Sequence, residues 1–183
     1  MPQVTPSARF MARAEEILSG GVIAEKLSVV GRLLATAARE PEFVPEAELR
    51  GLHGGDSAAT LLRVESSGLT LMLGRFSASE ETPIHDHGSW GIACVIRGRD
   101  RYRHWERLDD GSKPDRAQVR LLYEKELGPG DWVSWPDRPG DIHSQQGIGE
   151  PALELVLFGK NVLEIPRQYF DAATGAVRTA LPQ

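Results

Sequence analysis

Two apolar stripes at helical spacing open the chain. The first consists of Phe10, Met11, Ala14, Ile17 and Leu18. The second consists of Ile23, Leu27, Val30, Leu33, Leu34 and Ala37. Apolar side chains three and four residues apart share one face of an α-helix, so each stripe predicts an amphipathic helix that packs on a core. Gly20 and Gly21 end the first helix, and Pro41 stops the second.

From about residue 58 the periodicity changes to short apolar runs separated by Gly, Pro and Asp. The runs are LLRVE, LTLMLGRF, WGIACVIRG, RYRHWERL, VRLLYEKEL, DWVSW and ALELVLFG. No helical stretch of about 10–15 residues separates them, which disfavours a parallel sheet and favours a barrel or a sandwich. We therefore expect a helical segment, residues 1–57, packed on a β-barrel, residues 58–183, in one structural domain.

The composition restricts the partners and the cellular compartment expected for this domain. Of the 183 residues, 21 are Lys or Arg and 26 are Asp or Glu, giving a net charge of −5. This balance argues against nucleic acid or an anionic membrane as the main partner. The single cysteine, Cys94, cannot form an internal disulfide and is expected to be a small buried hydrophobe. With no basic-then-apolar leader at its start and no long apolar span, the chain is expected to be cytoplasmic. Its oligomeric state stays open.

The histidines carry the candidate chemistry. They are His53, His85, His87, His104 and His143. His85 and His87 are two residues apart, which on a strand places both imidazoles on one face. A later segment, Gly130 to Pro136 followed by Gly140-Asp-Ile-His143, would bring a third imidazole to the same point. The alternative to a shared site is that His85 and His87 are exposed residues of a turn. We expect His53 to lie on a surface loop and His104 to be a hydrogen-bonded barrel or rim residue.

The H-x-H pair followed by G-x5-P and G-x2-H resembles the two motifs of the cupin superfamily. The usual cupin carboxylate after H-x-H is absent, because Gly88, Ser89, Trp90 and Gly91 follow His87. Three neutral imidazoles leave the charge of a divalent metal uncompensated, which suits an anionic chelating ligand together with dioxygen. Imidazole suits iron, copper, zinc and nickel alike, so the residues do not identify the metal.

A narrower resemblance covers roughly residues 60–175. TPIHDHGSWG, GDIH, FGKNV and the closing F-D-x-x-T-G at Phe170 to Gly175 resemble the thiol dioxygenases, the cysteine dioxygenase type I and 3-mercaptopropionate dioxygenase group. The resemblance implies an all-β core, a cupin double-stranded β-helix (jelly-roll) barrel with N-terminal α-helices. It implies Fe(II) on His85, His87 and His143, with Ni or Zn in its place in some purified samples. It also implies a small thiol and O₂ as reactants.

The same resemblance suggests a substrate-binding residue. In FGKNVLEIPR, Arg167 corresponds to an arginine that binds the substrate carboxylate, and a guanidinium binds a carboxylate with two parallel hydrogen bonds. The alternative is a surface arginine in a C-terminal loop.

The sequence departs from the family at its Ser-His-Tyr relay, where Glu154, Val156 and Phe158 stand instead. A buried Glu154 would need a partner, for which Arg167, Tyr102, His104 or the substrate are candidates. We expect cysteine and 3-mercaptopropionate to be poor substrates. A thiol with a second carboxylate, such as mercaptosuccinate, is a candidate, with Arg75 or Arg97 as a further counter-charge.

Three functions remain open at this point. The first is a dioxygenase that converts a small thiol, preferentially a thiol carboxylate, to a sulfinate. The second is a three-histidine metal cupin acting on another chelating substrate. The third is a non-enzymatic cupin that binds a small ligand.

Overall fold

A computed structural model describes residues 4–51 and 56–182. Three helices precede the strands: α1 (Pro6–Leu18), α2 (Ala24–Ala37) and α3 (Glu46–Gly51). The strands are β1 (Ala58–Val64), β2 (Thr70–Phe76), β3 (Ile84–His85), β4 (Gly91–Arg97), β5 (Asp100–Arg107), β6 (Val119–Leu127), β7 (Trp132–Trp135), β8 (His143–Gly147), β9 (Ala152–Phe158), β10 (Arg167–Phe170) and β11 (Val177–Ala180). No helix in these two ranges has the length and apolarity needed to cross a membrane.

The strands form two antiparallel sheets. The order in the five-stranded sheet is β1-β2-β9-β4-β7, and in the six-stranded sheet it is β11-β10-β3-β8-β5-β6. Strands distant in sequence, such as β2 and β9, are hydrogen-bonded neighbours, as the crossing connections of a jelly roll require. The expected all-β jelly-roll core with N-terminal helices is confirmed.

The two N-terminal helices form as their apolar stripes predict. The Thr5 hydroxyl accepts a hydrogen bond from the Ala8 amide and caps α1, and Gly20 continues past its end with a φ of 74°. Most stripe residues of α2 are buried and Leu33 is half-buried, whereas Ile23 at the start is 55% exposed. Ile23 precedes the first helical turn and therefore lies outside the face that packs on the barrel.

The five-stranded sheet separates two apolar cores. Along β2, Leu71 and Leu73 pack towards the helices, whereas Met72 packs inside the barrel. Along β9, Leu157 and Phe158 divide between the same two cores. Because both faces of β2, β4 and β9 are covered, these strands are nearly continuous apolar runs, whereas much of the edge strand β1 is exposed.

Tryptophan side chains lie directly over glycines at the contacts between layers. A Cβ added to Gly31 of α2 would come within 2.6 Å of the Trp132 ring, and one added to Gly91 within 2.3 Å of the Trp135 ring. The Gly31 contact attaches α2 to the barrel, since only a residue without a side chain lets the indole approach this closely.

Candidate metal centre

Strand pairing brings His85, His87 and His143 together. His85 of β3 is directly opposite His143 of β8, and His87 follows two residues after His85. One ring nitrogen from each lies within 4.8 Å of the others, and the Nε2 atoms of His87 and His143 are 3.3 Å apart. The three side chains are buried, so the interpretation of His85 and His87 as exposed turn residues is wrong.

Backbone carbonyls orient two of the three rings. The Pro83 carbonyl lies 2.8 Å from His85 Nδ1, and the Asp141 carbonyl lies 3.0 Å from His143 Nδ1. A carbonyl only accepts, so each Nδ1 carries the proton and each Nε2 keeps a free lone pair. This fixed tautomer is the usual arrangement of a metal-binding histidine.

The surroundings also keep the imidazoles neutral. Burial, followed by the positive charge of Arg167, lowers the pKa of His85 to about 4. Burial lowers the pKa of both His87 and His143 well below the usual value, and the Arg167 charge acts on them in the same direction. A neutral imidazole is the form that binds a metal ion. The three residues therefore fit a divalent metal ion, and imidazole ligands alone do not select among the transition metals.

The other histidines do not join this cluster in the described residues. His104 faces His143 across β5 and β8, but its Nδ1 lies 3.4 Å from the Tyr102 hydroxyl and its ring stacks on Tyr123 at 5.0 Å. It is half-buried, which matches the expected hydrogen-bonded barrel residue. His53 lies outside the described residues.

Aspartates support the backbone of the ligand segment. One carboxylate oxygen of Asp141 accepts hydrogen bonds from the amides of His87 (3.0 Å) and Gly88 (2.7 Å). Asp137 accepts a hydrogen bond from the Trp90 amide at 3.0 Å. The segment from Asp137 to Asp141, which follows the proline of the G-x5-P motif, thus holds the H-x-H segment in place. Sequence analysis missed both roles.

Arg167 lies on strand β10 and not in a loop. β10 pairs with β3, placing Tyr169 opposite His85 with the two rings stacked at 6.1 Å. The Arg167 side chain is half-buried. Its Nε is buried and has no hydrogen-bond partner among the described residues. Its charge lowers the pKa of all three histidines, so the guanidinium acts at the cluster.

Apolar rings form one wall beside the histidines. The Phe158 ring lies 4.6 Å from that of His87, and the Trp135 ring lies 4.7 Å from that of His143. Val156 and Phe158 belong to the same core inside the barrel. Two of the three positions that correspond to the family relay are therefore apolar and point inward.

Glu154 also faces the interior, but its partners are not those that the sequence suggested. The Gln145 amide donates to Glu154 at 2.8 Å and to Asp100 at 3.2 Å. Both carboxyl groups accept from the same buried Gln145 amide, and because two buried negative charges this close repel each other, one of them is favoured in its protonated form. Burial raises the pKa of Asp100 to about 7 and that of Glu154 well above its usual value. The expected partners Arg167, Tyr102 and His104 are corrected to Gln145 and Asp100, because the neighbouring strands place these side chains on the same inner face.

Neither of the further counter-charges suggested by the sequence lines the inside of the barrel, although Arg75 is itself buried. Arg75 follows Gly74, which faces Glu154 across β2 and β9, so Arg75 lies on the opposite face of the sheet. Arg97 is exposed at the end of β4.

The fold and the histidine cluster together define an all-β barrel of two antiparallel sheets with a candidate three-histidine metal site. Oxalate oxidase in complex with glycolate is similar in fold, with a TM-score of 0.46 and 23% identity over 60% of this chain and 54% of the oxidase. A cupin superfamily protein from Desulfitobacterium hafniense has a TM-score of 0.45 and 17% identity, over 66% of this chain and 90% of its own. An oxalate decarboxylase variant from Bacillus subtilis has a TM-score of 0.45 and 23% identity, over 60% of this chain and 26% of its own. The chain thus spans about half the length of oxalate oxidase. No protein-family model matches the sequence.

Proposed function

We propose that this chain is a metal-dependent dioxygenase that oxidises a small thiol carboxylate to its sulfinate. The observation that carries the proposal is the place of Arg167 on β10, two residues before Tyr169, which pairs with His85 across the strands and stacks on its ring. One site thus combines three neutral imidazoles with a fixed cation. The motif resemblance to the thiol dioxygenases supplies the reaction class.

The reaction needs no further co-reactant. A thiol and one O₂ molecule combine to give a sulfinic acid, with both oxygen atoms transferred to sulfur. Fe(II), when held by the three imidazoles, supplies a redox-active centre with open coordination positions. The protein's own part is to keep His85, His87 and His143 neutral and to orient the Nε2 lone pairs of His85 and His143.

Arg167 and the apolar wall determine how the substrate lies. A guanidinium binds a carboxylate with two parallel hydrogen bonds, which fixes both the position and the plane of the carboxylate. The buried Arg167 Nε, which has no described partner, is a donor left for this purpose. Phe158 and Trp135 exclude water on the other side of His87 and His143, where the thiol would lie.

The altered relay positions direct the choice of substrate. Phe158 offers no hydroxyl, and Glu154 is turned towards Gln145 and Asp100. A positioned proton donor contributes about 10²–10⁴-fold in rate, so thiols that depend on the family tyrosine are expected to react slowly. Cysteine and 3-mercaptopropionate are therefore expected to be poor substrates, and a thiol with its own additional polar group, such as mercaptosuccinate, is expected to be better.

The test is O₂ uptake by the Fe(II)-loaded protein over a panel of thiols, with the sulfinate identified by mass spectrometry. Arg167→Ala should raise KM about 10²-fold for carboxylated thiols and little for cysteamine. Arg120→Ala is the matched control, since Arg120 pairs with Glu106 on an edge strand far along the chain from the cluster. Equal effects on charged and uncharged thiols would remove Arg167 from the site.

Other outcomes would replace the proposal. Turnover of cysteine or 3-mercaptopropionate with kcat/KM above about 10⁴ M⁻¹s⁻¹ would show that the altered relay does not redirect specificity. O₂ uptake only with chelators that lack sulfur would indicate the second function. Thermal stabilisation by ligands without any turnover would indicate a binding protein.

A further inference from the structure

An ion pair between the buried carboxylate of Asp86 and the partly exposed guanidinium of Arg138 lies between the histidine segment and the strand that carries Arg167. The Asp86 side chain, between His85 and His87, is 1% exposed. Arg138 donates from Nε to one of its carboxylate oxygens and from Nη2 to the other, both at 2.7 Å. The amide of Gln168 donates to the same carboxylate at 2.8 Å. This geometry is the two-point pairing in which arginine is most specific.

The ion pair holds both neighbours of Arg167. Asp86 accepts from the Gln168 amide, and the Asp86 amide donates back to the Gln168 carbonyl at 3.1 Å. On the other side, Arg138 Nη2 donates to the Pro166 carbonyl at 3.3 Å. The backbone before and after Arg167 is therefore fixed by two side chains that belong to the histidine segment and the following loop.

Regular strand pairing does not reach Arg167 from the histidine side. The ladder between β3 and β10 contains only two residue pairs, Tyr169 with His85 and Phe170 with Ile84. Arg167 lies beyond the last of these pairs. Arg167 pairs with Ala180 of β11 on its other side, and towards the histidines it is held by the contacts of Asp86 and Arg138.

Gly88 leaves space for the Arg138 side chain of this pair because it has no Cβ. Gly88 has a φ of 65°, and a Cβ there would lie 3.3 Å from Arg138 Nη2 and 2.9 Å from Ile165. A side chain at this position would push against the guanidinium and against the segment leading to Arg167. The glycine after H-x-H is thus part of the same arrangement.

We infer that Asp86 and Arg138 are positioning residues that fix the backbone of Arg167 beside the three-histidine segment and so determine affinity for the substrate carboxylate. The last part of this inference rests on the proposed function. The two residues act through Arg167 and do not themselves touch the substrate.

The test compares two thiols of similar size on the Fe(II)-loaded protein without oxygen. The dissociation constants of 3-mercaptopropionate, which carries a carboxylate, and of 2-mercaptoethanol, which does not, are read from the optical spectrum. Arg138→Lys keeps the charge but cannot form both bonds to Asp86. It should weaken binding of 3-mercaptopropionate about tenfold and leave 2-mercaptoethanol and the metal content unchanged.

Arg120→Lys is the matched control, because both Nε and Nη2 of Arg120 also bind a carboxylate, that of Glu106, on an exposed edge strand. It should leave the dissociation constants of both thiols unchanged. An unchanged Arg138→Lys protein would overturn the inference. Loss of metal, or equal weakening of both thiols, would also overturn it, since the pair would then hold the histidines.

Amide hydrogen exchange in the metal-free protein separates this inference from the proposed function. Asp86→Asn and Arg138→Lys should each speed exchange at the Gln168 amide at least about tenfold, while the Val156 amide in β9 exchanges as in the unchanged protein. This result would support the positioning role even if no thiol binds. Unaltered exchange at Gln168 in the Arg138→Lys protein would overturn the role whatever the substrate proves to be.

Discussion

The two sheets of the barrel bury their strands in different ways. The five-stranded sheet is covered by the helices on one face and by the barrel core on the other, so Leu155 and Val156 are both buried although they point in opposite directions. The six-stranded sheet has a solvent side. Its outer face carries polar contacts such as that of the Trp105 indole with the Ser144 hydroxyl at 2.9 Å.

The candidate chemistry follows this division. His85, His143 and Arg167 all lie on strands of the six-stranded sheet, and the five-stranded sheet contributes the apolar Phe158. A sheet buried on both faces supplies stability and keeps water away, but it offers few positions for polar groups without a partner. A sheet with one solvent face can place polar side chains at short, irregular strands. We therefore expect substitutions in the six-stranded sheet to affect mainly metal binding and those in the five-stranded sheet to affect mainly stability.

The largest effect is expected from removing a ligand on the six-stranded sheet. His143→Ala should lose most of the bound metal, and so should His85→Ala and His87→Ala, because each removes one of three imidazoles. His104→Ala should keep its metal although His104 directly faces His143 across the strands. Metal content after purification and dialysis is the measurement. Full occupancy in the His143→Ala protein would refute the three-ligand assignment.

The next effect concerns stability in the five-stranded sheet. Leu155 is 0% exposed between β2, β4 and the helices, so Leu155→Ala should lower the free energy of unfolding by about 2–5 kcal/mol. Leu122 of β6 is 52% exposed, and Leu122→Ala should change it by less than about 0.5 kcal/mol. Urea unfolding of both variants measures the two changes in the free energy of unfolding. Similar losses in both would show that the two sheets do not differ in how their strands are buried.

A smaller, pH-dependent effect is expected at the acid pair that joins the sheets. The pKa of Asp100 is raised from 3.8 to about 7, so the folded chain holds a proton that the unfolded chain releases between those values. Stability from this group is therefore lost as pH rises from about 4 to 7, by up to about 1.4 kcal/mol per pH unit. Glu154→Gln removes one of the two carboxyl groups.

The Glu154→Gln protein should become more stable relative to the unchanged protein by about 1–2 kcal/mol between pH 5 and pH 8. Taking the difference cancels the titration of the histidines, which both proteins share. Glu126→Gln, on exposed strand β6, should give a constant difference. A constant difference for Glu154→Gln as well would show that Glu154 and Asp100 do not share a proton.

The sequence predicts the apolar part of this fold well and the polar part less well. The seven apolar runs correspond to β1, β2, β4, β5, β6, β7 and β9, because burial on at least one face imposes a readable pattern. The strands β3, β8, β10 and β11 were not predicted. Strand β8 reads HSQQG and has polar side chains in the interior, so its function removes the hydrophobic signal.

The candidate site divides in the same way. The spacing of His85 and His87 and the later G-x2-H place the histidines, and the resemblance points to Arg167. The partners Asp100 for Glu154 and Arg138 for Asp86 could not be found from the sequence, because each pair is formed by segments far apart in the chain, 52 residues in the second case. Only the strand order brings them together.

The indole–glycine contacts between the layers constrain how this protein can diverge. Trp132 occupies the space that Gly31 leaves free, so an alanine at position 31, although it favours helix, would require the ring to move. Trp132 must therefore be replaced by a smaller residue before Gly31 can be replaced by a larger one. Among related sequences, loss of the glycine should occur only where the tryptophan has already been replaced, and this paired absence would appear as covariation between a helix and a strand 101 residues apart.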